Sequence, residues 1–360
     1  MKILFYINAI HHGGAERVIC NLATQFSEHG HECVLITSFR DDWEYSVNEN
    51  VRRITLFEHQ LKQGFLRRNS SLVKSLRKVL NEEKPDILIS FMAEPNYRAI
   101  VASAGLKHKV VISIRNDPNR EYPNILNRFL AKTLFRLADG IVFQTDNAQK
   151  WFPKSIQNKS KIIYNQVDKI FYRTVYGGVR HDVVTTGRLT AQKNHKMLIR
   201  AFAQIADHVT DKLFIYGEGE LRGELESLIA ELHMQNRIFL PGSTKNVAET
   251  IKSAKLFVLS SDYEGMPNSL LEAMALGLPC LSTDCPCGGP QMLLKDYSDY
   301  CLSQVNDFES FSKKMCVLLR DAALLASIGN ELRRRSLGFN PSEVYKEWAS
   351  YVISLNEMIK

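Results

Sequence analysis

Several things are missing from this 360-residue chain. No apolar run approaches the roughly 20 residues that cross a bilayer as a helix, so no membrane span is expected. The start, Met1 to Ile7, is a short apolar run that passes straight into His11-His12-Gly13-Gly14. It reads as a first strand and a glycine turn rather than a secretory leader. Cysteine is sparse and odd in number, with Cys20, Cys33, Cys280, Cys285, Cys287, Cys301 and Cys316. Only Cys285 and Cys287 are close, and one pair cannot make a zinc site. Reduced thiols in a cytoplasmic protein are the simple expectation. There is no internal repeat of short period. A chain 45% hydrophobic and 24% charged is not disordered. The net charge of +7 is moderate, compatible with plain solubility or with an anionic partner.

What is present is an alternation of apolar strands and amphipathic helices, the signature of α/β domains with parallel sheets. Strands are expected at Ile3–Asn8, Cys33–Thr37, Ile54–Phe57, Asp86–Phe91, Lys109–Ile114, Gly140–Gln144 and Lys161–Tyr164. Pro123 is expected to start a helix carrying Ile125, Leu126, Phe129, Leu130, Leu134 and Leu137. Asn165 to Val179 lacks periodicity and ends in Gly177-Gly178, so it reads as a linker. The alternation then restarts, with strands expected at Val183–Thr186, Lys212–Tyr216, Arg237–Leu240, Lys255–Leu259 and Cys280–Thr283 and helices filling the remainder. Two domains follow, residues 1–165 and 166–341, with a last helix over 342–360 crossing back to the first.

Between His59 and Asn81 there are six Lys or Arg and no acid. On a helix, Arg67, Lys74 and Lys78 fall on one side and Leu72, Leu76, Val79 and Leu80 on the other. The basic face is either solvated or a contact for anionic lipid headgroups or a lipid-linked pyrophosphate. No helix-turn-helix follows, which argues against nucleic acid.

The most informative stretch is Glu264 to Pro279, E-G-M-P-N-S-L-L-E-A-M-A-L-G-L-P. It follows the apolar run Lys255 to Leu259. Pro267 suits a helix start, Asn268 and Ser269 can cap, and Gly277 stops the helix. The free amides of such an end bind anions, phosphate above all. Glu264 and Glu272 are spaced roughly 10 Å apart, too far for one acid/base pair, and suit two parts of one long ligand. A nucleotide sugar fits. Glu272 would meet ribose hydroxyls, the free amides of the turn spanning Gly265, Met266, Pro267, Asn268 and Ser269 would meet the diphosphate (Pro267 itself carrying no N–H), and Glu264 the sugar.

Further upstream, Gly187-Arg188 and Lys193 place two cations on one loop after a strand, suited to a leaving diphosphate or simply to the surface. Gly217-x-Gly219 permits close backbone approach, or marks a plain turn. Gly13-Gly14 opens a helix in the same way. Arg115, Asn116 and Asp117 end another strand, where ligands of open α/β sheets bind.

Taken together, Gly13-Gly14, Gly187-Arg188 with Lys193, Gly217-x-Gly219 and the Glu264–Glu272 stretch resemble the retaining glycosyltransferases of family 4. Gly13-Gly14-Ala15-Glu16-Arg17, Arg115-Asn116-Asp117-Pro118 and Asp284-Cys285-Pro286-x-Gly288 look similar to enzymes that extend lipid-linked oligosaccharides, including hexosaminyl- and galactosyltransferases of surface polysaccharide assembly. The segment Tyr164 to Asp168 looks like that family's interdomain hinge. The resemblance implies a GT-B fold, two Rossmann-like domains facing across a cleft. The first would bind the acceptor and the second most of a UDP-sugar. It implies Arg188 and Lys193 on the diphosphate, Glu264 on the donor sugar, and Gly14, Gly217 and Gly219 beside the donor. Arg115, Asn116, Asp117, Arg67, Lys74 and Lys78 are the acceptor-side candidates. No Asp-x-Asp pair occurs, in keeping with a metal-independent site and no cofactor.

The implied activity is transfer of a hexose or N-acetylhexosamine to a polyprenyl-diphosphate-linked or other glycan acceptor. The implied location is cytoplasmic, on the inner face of the cytoplasmic membrane. A nucleotide-sugar epimerase of the same fold and a transferase with a soluble acceptor are the alternatives. Many members carry a His where this chain reads Ile114-Arg115-Asn116, so no first-domain catalytic residue is assigned. His11 and His12 read as bystanders.

Overall fold

The computed structural model describes residues 1–11, 13–41 and 44–357. His12 and the last three residues of the expected C-terminal helix lie outside the described residues. The chain forms two compact units, Met1–Asn165 with Ser342–Lys360, and Gln166–Pro341.

The first unit is built on seven strands: β1 (Lys2–Ile7), β2 (Glu32–Phe39), β3 (Val51–Phe57), β4 (Ile87–Phe91), β5 (Lys109–Ser113), β6 (Gly140–Phe143) and β7 (Ser160–Ile162). They pair in parallel in the order β3-β2-β1-β4-β5-β6-β7. β1 and β4 are apolar but for Lys2 and Ser90, because helices cover both faces; Ile3, Phe5, Ile87 and Ile89 are wholly buried. The strand order reverses between β1 and β4, which opens a crevice at their carboxyl ends.

The helix Pro341–Glu357 packs on this unit from Ser342 onward. Its Trp348 is fully buried and stacks on Phe91 at 5.8 Å, and its Tyr345 meets Phe26 edge-on at 5.1 Å. Tyr351 Oη accepts from Ile141 N at 2.9 Å and donates to Lys159 O at 2.6 Å, tying β6 to the residue before β7.

The second unit has six strands: β8 (His181–Thr186), β9 (Leu213–Tyr216), β10 (Ile238–Gly242), β11 (Ala254–Leu259), β12 (Cys280–Asp284) and β13 (Leu302–Gln304). Their order, β10-β9-β8-β11-β12-β13, reverses between β8 and β11. β13 has only three residues and stands where helices alone were expected. The expected linker contains the short helix Lys169–Arg173, started by the Asp168 side chain accepting from Ile170 N at 2.9 Å.

The helix expected from Pro123 begins two residues later, at Ile125. Asn124 is its cap and accepts from Asn127 N at 2.8 Å, which leaves Pro123 outside. Its apolar face is not in the core. Ile125, Leu126 and Phe129 are 86%, 65% and 63% exposed. In the helix Phe65–Glu83, by contrast, Leu72, Leu76 and Leu80 are buried and Arg67, Lys74 and Lys78 are exposed.

Candidate active site

The loops that follow β8 and β11 flank the reversal point of the second sheet, and they are clasped together. Gln192 Nε2 donates to Tyr263 O at 2.9 Å, and Asp262 N donates to Gln192 O at 2.9 Å. Asn194 Nδ2 donates to Asp262 Oδ1 at 2.6 Å, and Ser260 Oγ to Lys193 O at 2.8 Å. Asn194 holds a left-handed conformation, φ 44°, which its short polar side chain tolerates; that side chain also caps the helix His195–Ile205.

At the centre of the clasp Lys193 Nζ donates to Glu264 Oε1 at 2.5 Å, and Ser261 Oγ donates to the same oxygen at 2.8 Å. Both ends of this ion pair are mostly buried, with side chains 16% and 11% exposed. Arg188, on the same loop, is different. Its side chain is exposed, and among the described residues its guanidinium has no hydrogen-bond or ion-pair partner. The two cations singled out from the sequence therefore stand in different electrostatic states, one neutralised and one free to meet an anion.

Gly217 and Gly219 hold this loop in place from the other side. A Cβ on Gly217 would lie 1.8 Å from the Gly187 carbonyl oxygen, and one on Gly219 would lie 2.5 Å from that of Leu189. Gly187 N donates to Tyr216 O at 3.0 Å and Leu189 N to Glu218 O at 2.9 Å. The close approach these glycines permit is thus to the backbone around Arg188.

The helix Asn268–Ala275 follows β11. Pro267, not Asn268 or Ser269, occupies the capping position, and it supplies no side-chain hydrogen bond. Ser269 Oγ is buried without a partner. Gly265, Met266 and Pro267 are buried, and Glu264 and Glu272 are 8% and 5% exposed. Gly289, after β12, packs so closely that a Cβ would sit 1.9 Å from Gly265 O. Thr283 Oγ1 and Cys285 Sγ both donate to Ser261 O, at 2.5 and 3.2 Å. Burial pushes the Cys285 thiol up to about 12, so it stays protonated at neutral pH.

In the first unit, Arg115 is 8% exposed and lies over the Phe91 ring, 4.5 Å from its centroid. It donates to Ser113 Oγ at 3.4 Å and to Asn165 Oδ1, while its Nε is buried without a partner. Burial pulls its pKa down to about 9. Asn116 Oδ1 accepts from Asp117 N at 2.9 Å, and Asp117 caps the short helix Pro118–Glu121 by accepting from Asn119 N at 2.9 Å. Gly14 opens the helix Gly14–Glu28.

Two charged residues were passed over in the sequence. Arg98 is 2% exposed and donates to Asn8 Oδ1 at 2.6 Å, to Asn69 Oδ1 at 2.7 Å and to Glu94, joining the loop after β1 to the helices Phe65–Glu83 and Ala93–Ser103. Glu121 has a buried Oε2 with no partner, and burial pushes its carboxyl up to about 7. Neither sits in a spacing that marks it. Among the described residues no three His, Cys, Asp or Glu converge as a metal-binding set, and no helix is long and apolar enough to cross a membrane.

Residues 12–169 match the profile described as Glycosyltransferase Family 4, and residues 180–321 that described as Glycosyl transferases group 1. An uncharacterized glycosyltransferase of Methanocaldococcus jannaschii is 31% identical over 73% of this chain and 73% of its own. A Campylobacter jejuni enzyme, GalNAc-alpha-(1->4)-GalNAc-alpha-(1->3)-diNAcBac-PP-undecaprenol alpha-1,4-N-acetyl-D-galactosaminyltransferase, is 27% identical over 98% of both chains. Among solved structures, Anabaena HepE in complex with UDP superposes with a TM-score of 0.82 at 18% identity, covering 98% of this chain and 100% of that one.

Proposed function

The chain belongs to glycosyltransferase family 4, with the two parallel-sheet domains of the GT-B fold, and on that premise we propose that it moves a hexose or N-acetylhexosamine from a UDP-sugar, with retention, to a polyprenyl-diphosphate-linked glycan. The observation that carries the donor side is the clasp at the β8/β11 reversal. It holds unpaired Arg188 beside the Lys193–Glu264 pair and the loop that leads into the helix Asn268–Ala275. A pyrophosphate suits that set: one free cation, one cation that can exchange its carboxylate for phosphate, and helix-end amides. These groups take the place of a divalent metal in the proposal. Glu272 binds the ribose and Glu264 a sugar hydroxyl.

In the reaction, the bond from the anomeric carbon to the β-phosphate oxygen breaks. The acceptor hydroxyl oxygen bonds to that carbon from the same face, and its proton passes to the departing phosphate. Arg188, Lys193 and the amides offset the charge that develops on UDP. The first unit takes the acceptor, with Arg115 and Asn116 at its sheet edge and the basic helix Phe65–Glu83 toward anionic lipid on the inner face of the cytoplasmic membrane. The acceptor class follows the name of the Campylobacter relative, and the donor nucleotide follows the UDP of the HepE complex.

The test is incubation with a panel of UDP-sugars, with and without an undecaprenyl-diphosphate-linked glycan. A lengthened glycan of retained anomeric configuration is expected only when both are present. A C-epimer formed from UDP-sugar alone, or no lengthened glycan with any donor, overturns the proposal.

A further inference from the structure

The helix Ile125–Leu134 turns its large apolar side chains outward. Placed at about 100° per residue, Ile125, Phe129 and Leu126 fall within an arc of about 100°, with Lys132 and Arg128 within about 60° to one side. Ala131, on the opposite side, is the buried anchor of this helix. Between Tyr122 and Ala138 there are three cations and no acid.

A second group lies at the start of the helix Phe65–Glu83, where Phe65 and Leu66 are 64% and 81% exposed. The two groups flank one element, the first turns of the helix Ala93–Ser103. On one side Arg98 Nε donates to Asn69 Oδ1 at 2.7 Å; on the other Tyr97 Oη donates to Asn127 O at 3.4 Å. Five large apolar side chains therefore share one end of the first unit, amid two acid-free basic stretches. Surface apolar residues are ordinarily scattered, and a cluster of this size marks a contact.

We infer that this end of the first unit, led by Ile125, Leu126 and Phe129 with Phe65 and Leu66, enters the interfacial zone of an anionic bilayer. Charge decides the occupant. A stripe of apolar side chains edged by Lys and Arg, with the one acid between the two groups, Glu94, paired to Arg68 and Arg98, matches a layer of anionic headgroups over acyl chains. Arg128 is held in place by Nε donating to Tyr122 O at 3.1 Å, and Lys132 lies over the Trp151 ring at 4.3 Å. This deepens the membrane reading proposed above by moving its main contact from charge on the basic helix to apolar insertion.

The two versions differ in salt. Attraction between exposed charges is screened over about 3 Å at 1 M salt, whereas apolar burial is not screened. The experiment is co-sedimentation with vesicles of phosphatidylcholine and phosphatidylglycerol at about three to one, in low and high salt. The wild-type chain is expected to stay bound in high salt. The variant Ile125→Ser/Leu126→Ser/Phe129→Ser is expected to lose about tenfold or more in partitioning, with its melting temperature kept. Because the three residues are exposed, a lowered melting temperature would itself contradict their placement.

Equal binding by the variant overturns the inference. So does wild-type binding that vanishes in high salt, or a wild-type dimer, absent in the variant, that fails to bind vesicles. Sugar transfer to a short-chain, water-soluble acceptor separates this surface from the activity. If the wild-type chain binds vesicles but transfers nothing, the activity falls and the surface stands. If it transfers to the soluble acceptor but ignores vesicles, the surface falls and the activity stands.

Discussion

Lys193 and Glu264, 71 residues apart, share a 2.5 Å hydrogen-bonded ion pair that locks the loop after β8 to the loop after β11. In a mostly buried setting such a pair is costly to break from one side, because the remaining charge keeps its desolvation without its partner. The Ser261 hydroxyl on the same carboxylate oxygen offsets part of that desolvation.

The pair and its free neighbour predict different mutant behaviour. Lys193→Ala leaves Glu264 buried beside Ser261 alone, and about 1–3 kcal/mol of stability is expected to go, along with turnover. Arg188→Ala removes an exposed, unpartnered side chain, so stability should change by no more than about 0.5 kcal/mol while turnover falls about a hundredfold. Urea unfolding and initial rates on both variants measure this split. An Arg188→Ala enzyme that works as well as wild type removes Arg188 from the site.

A second prediction concerns backbone packing behind Arg188. A methyl group on Gly217 would fall 1.8 Å from Gly187 O, a contact that only backbone movement relieves. Gly217→Ala is therefore expected to cost about 2 kcal/mol or more and to displace the loop that carries Arg188. Gly177→Ala is the control, since nothing lies within 4 Å of its added Cβ. It should be neutral or slightly stabilising through a stiffer unfolded chain. Melting temperatures and donor-binding shifts of the two variants distinguish local collision from a general intolerance of alanine.

Much of the architecture is legible in the sequence, for a physical reason. Strands such as β1 and β4 are buried on both faces, so they stand out as apolar runs between polar helical stretches. The Glu264 to Glu272 stretch is recognisable because it brings Gly, Pro and two carboxylates into one short segment. Three-residue β13 is too short to show a period. The outward face of the helix Ile125–Leu134 was equally hidden, because an apolar stripe has the same spacing whether it faces a core or a partner. Arg98, Glu121 and the Lys193–Glu264 pair depend on contacts between distant segments, which no local spacing records.

His195 predicts an acid-side loss of stability. It is 3% exposed, with Nδ1 buried and unpartnered, and burial, aided by Lys193, pushes its pKa down to about 3. A histidine held neutral in the fold contributes stability present above its unfolded value, near 6.5, and lost as pH falls toward about 3. Within that window the unfolded chain binds one more proton, a slope of about 1.4 kcal/mol per pH unit. His195→Leu should lack this component. Denaturant unfolding at several pH values from 7 down to about 4 tests it, and an unchanged slope in the variant would show that His195 titrates normally.

Glu121 works in the opposite direction. Burial raises its carboxyl to about 7, with the adjacent Tyr122 hydroxyl opposing the rise, Asp117 adding to it and Arg115 opposing it. An acid held protonated by the fold contributes stability that is full below its unfolded value, near 4.5, and declines as pH rises through about 7. Above that pH the ionised carboxylate sits buried, with Oε2 lacking a partner. Glu121→Gln keeps the shape and removes the charge, so its stability relative to wild type should grow from pH 4.5 to pH 8 and then level off. Urea midpoints of both proteins across that range supply the comparison. Parallel curves would mean that Glu121 is ionised and satisfied in the fold at neutral pH, with Arg115 as its counter-charge.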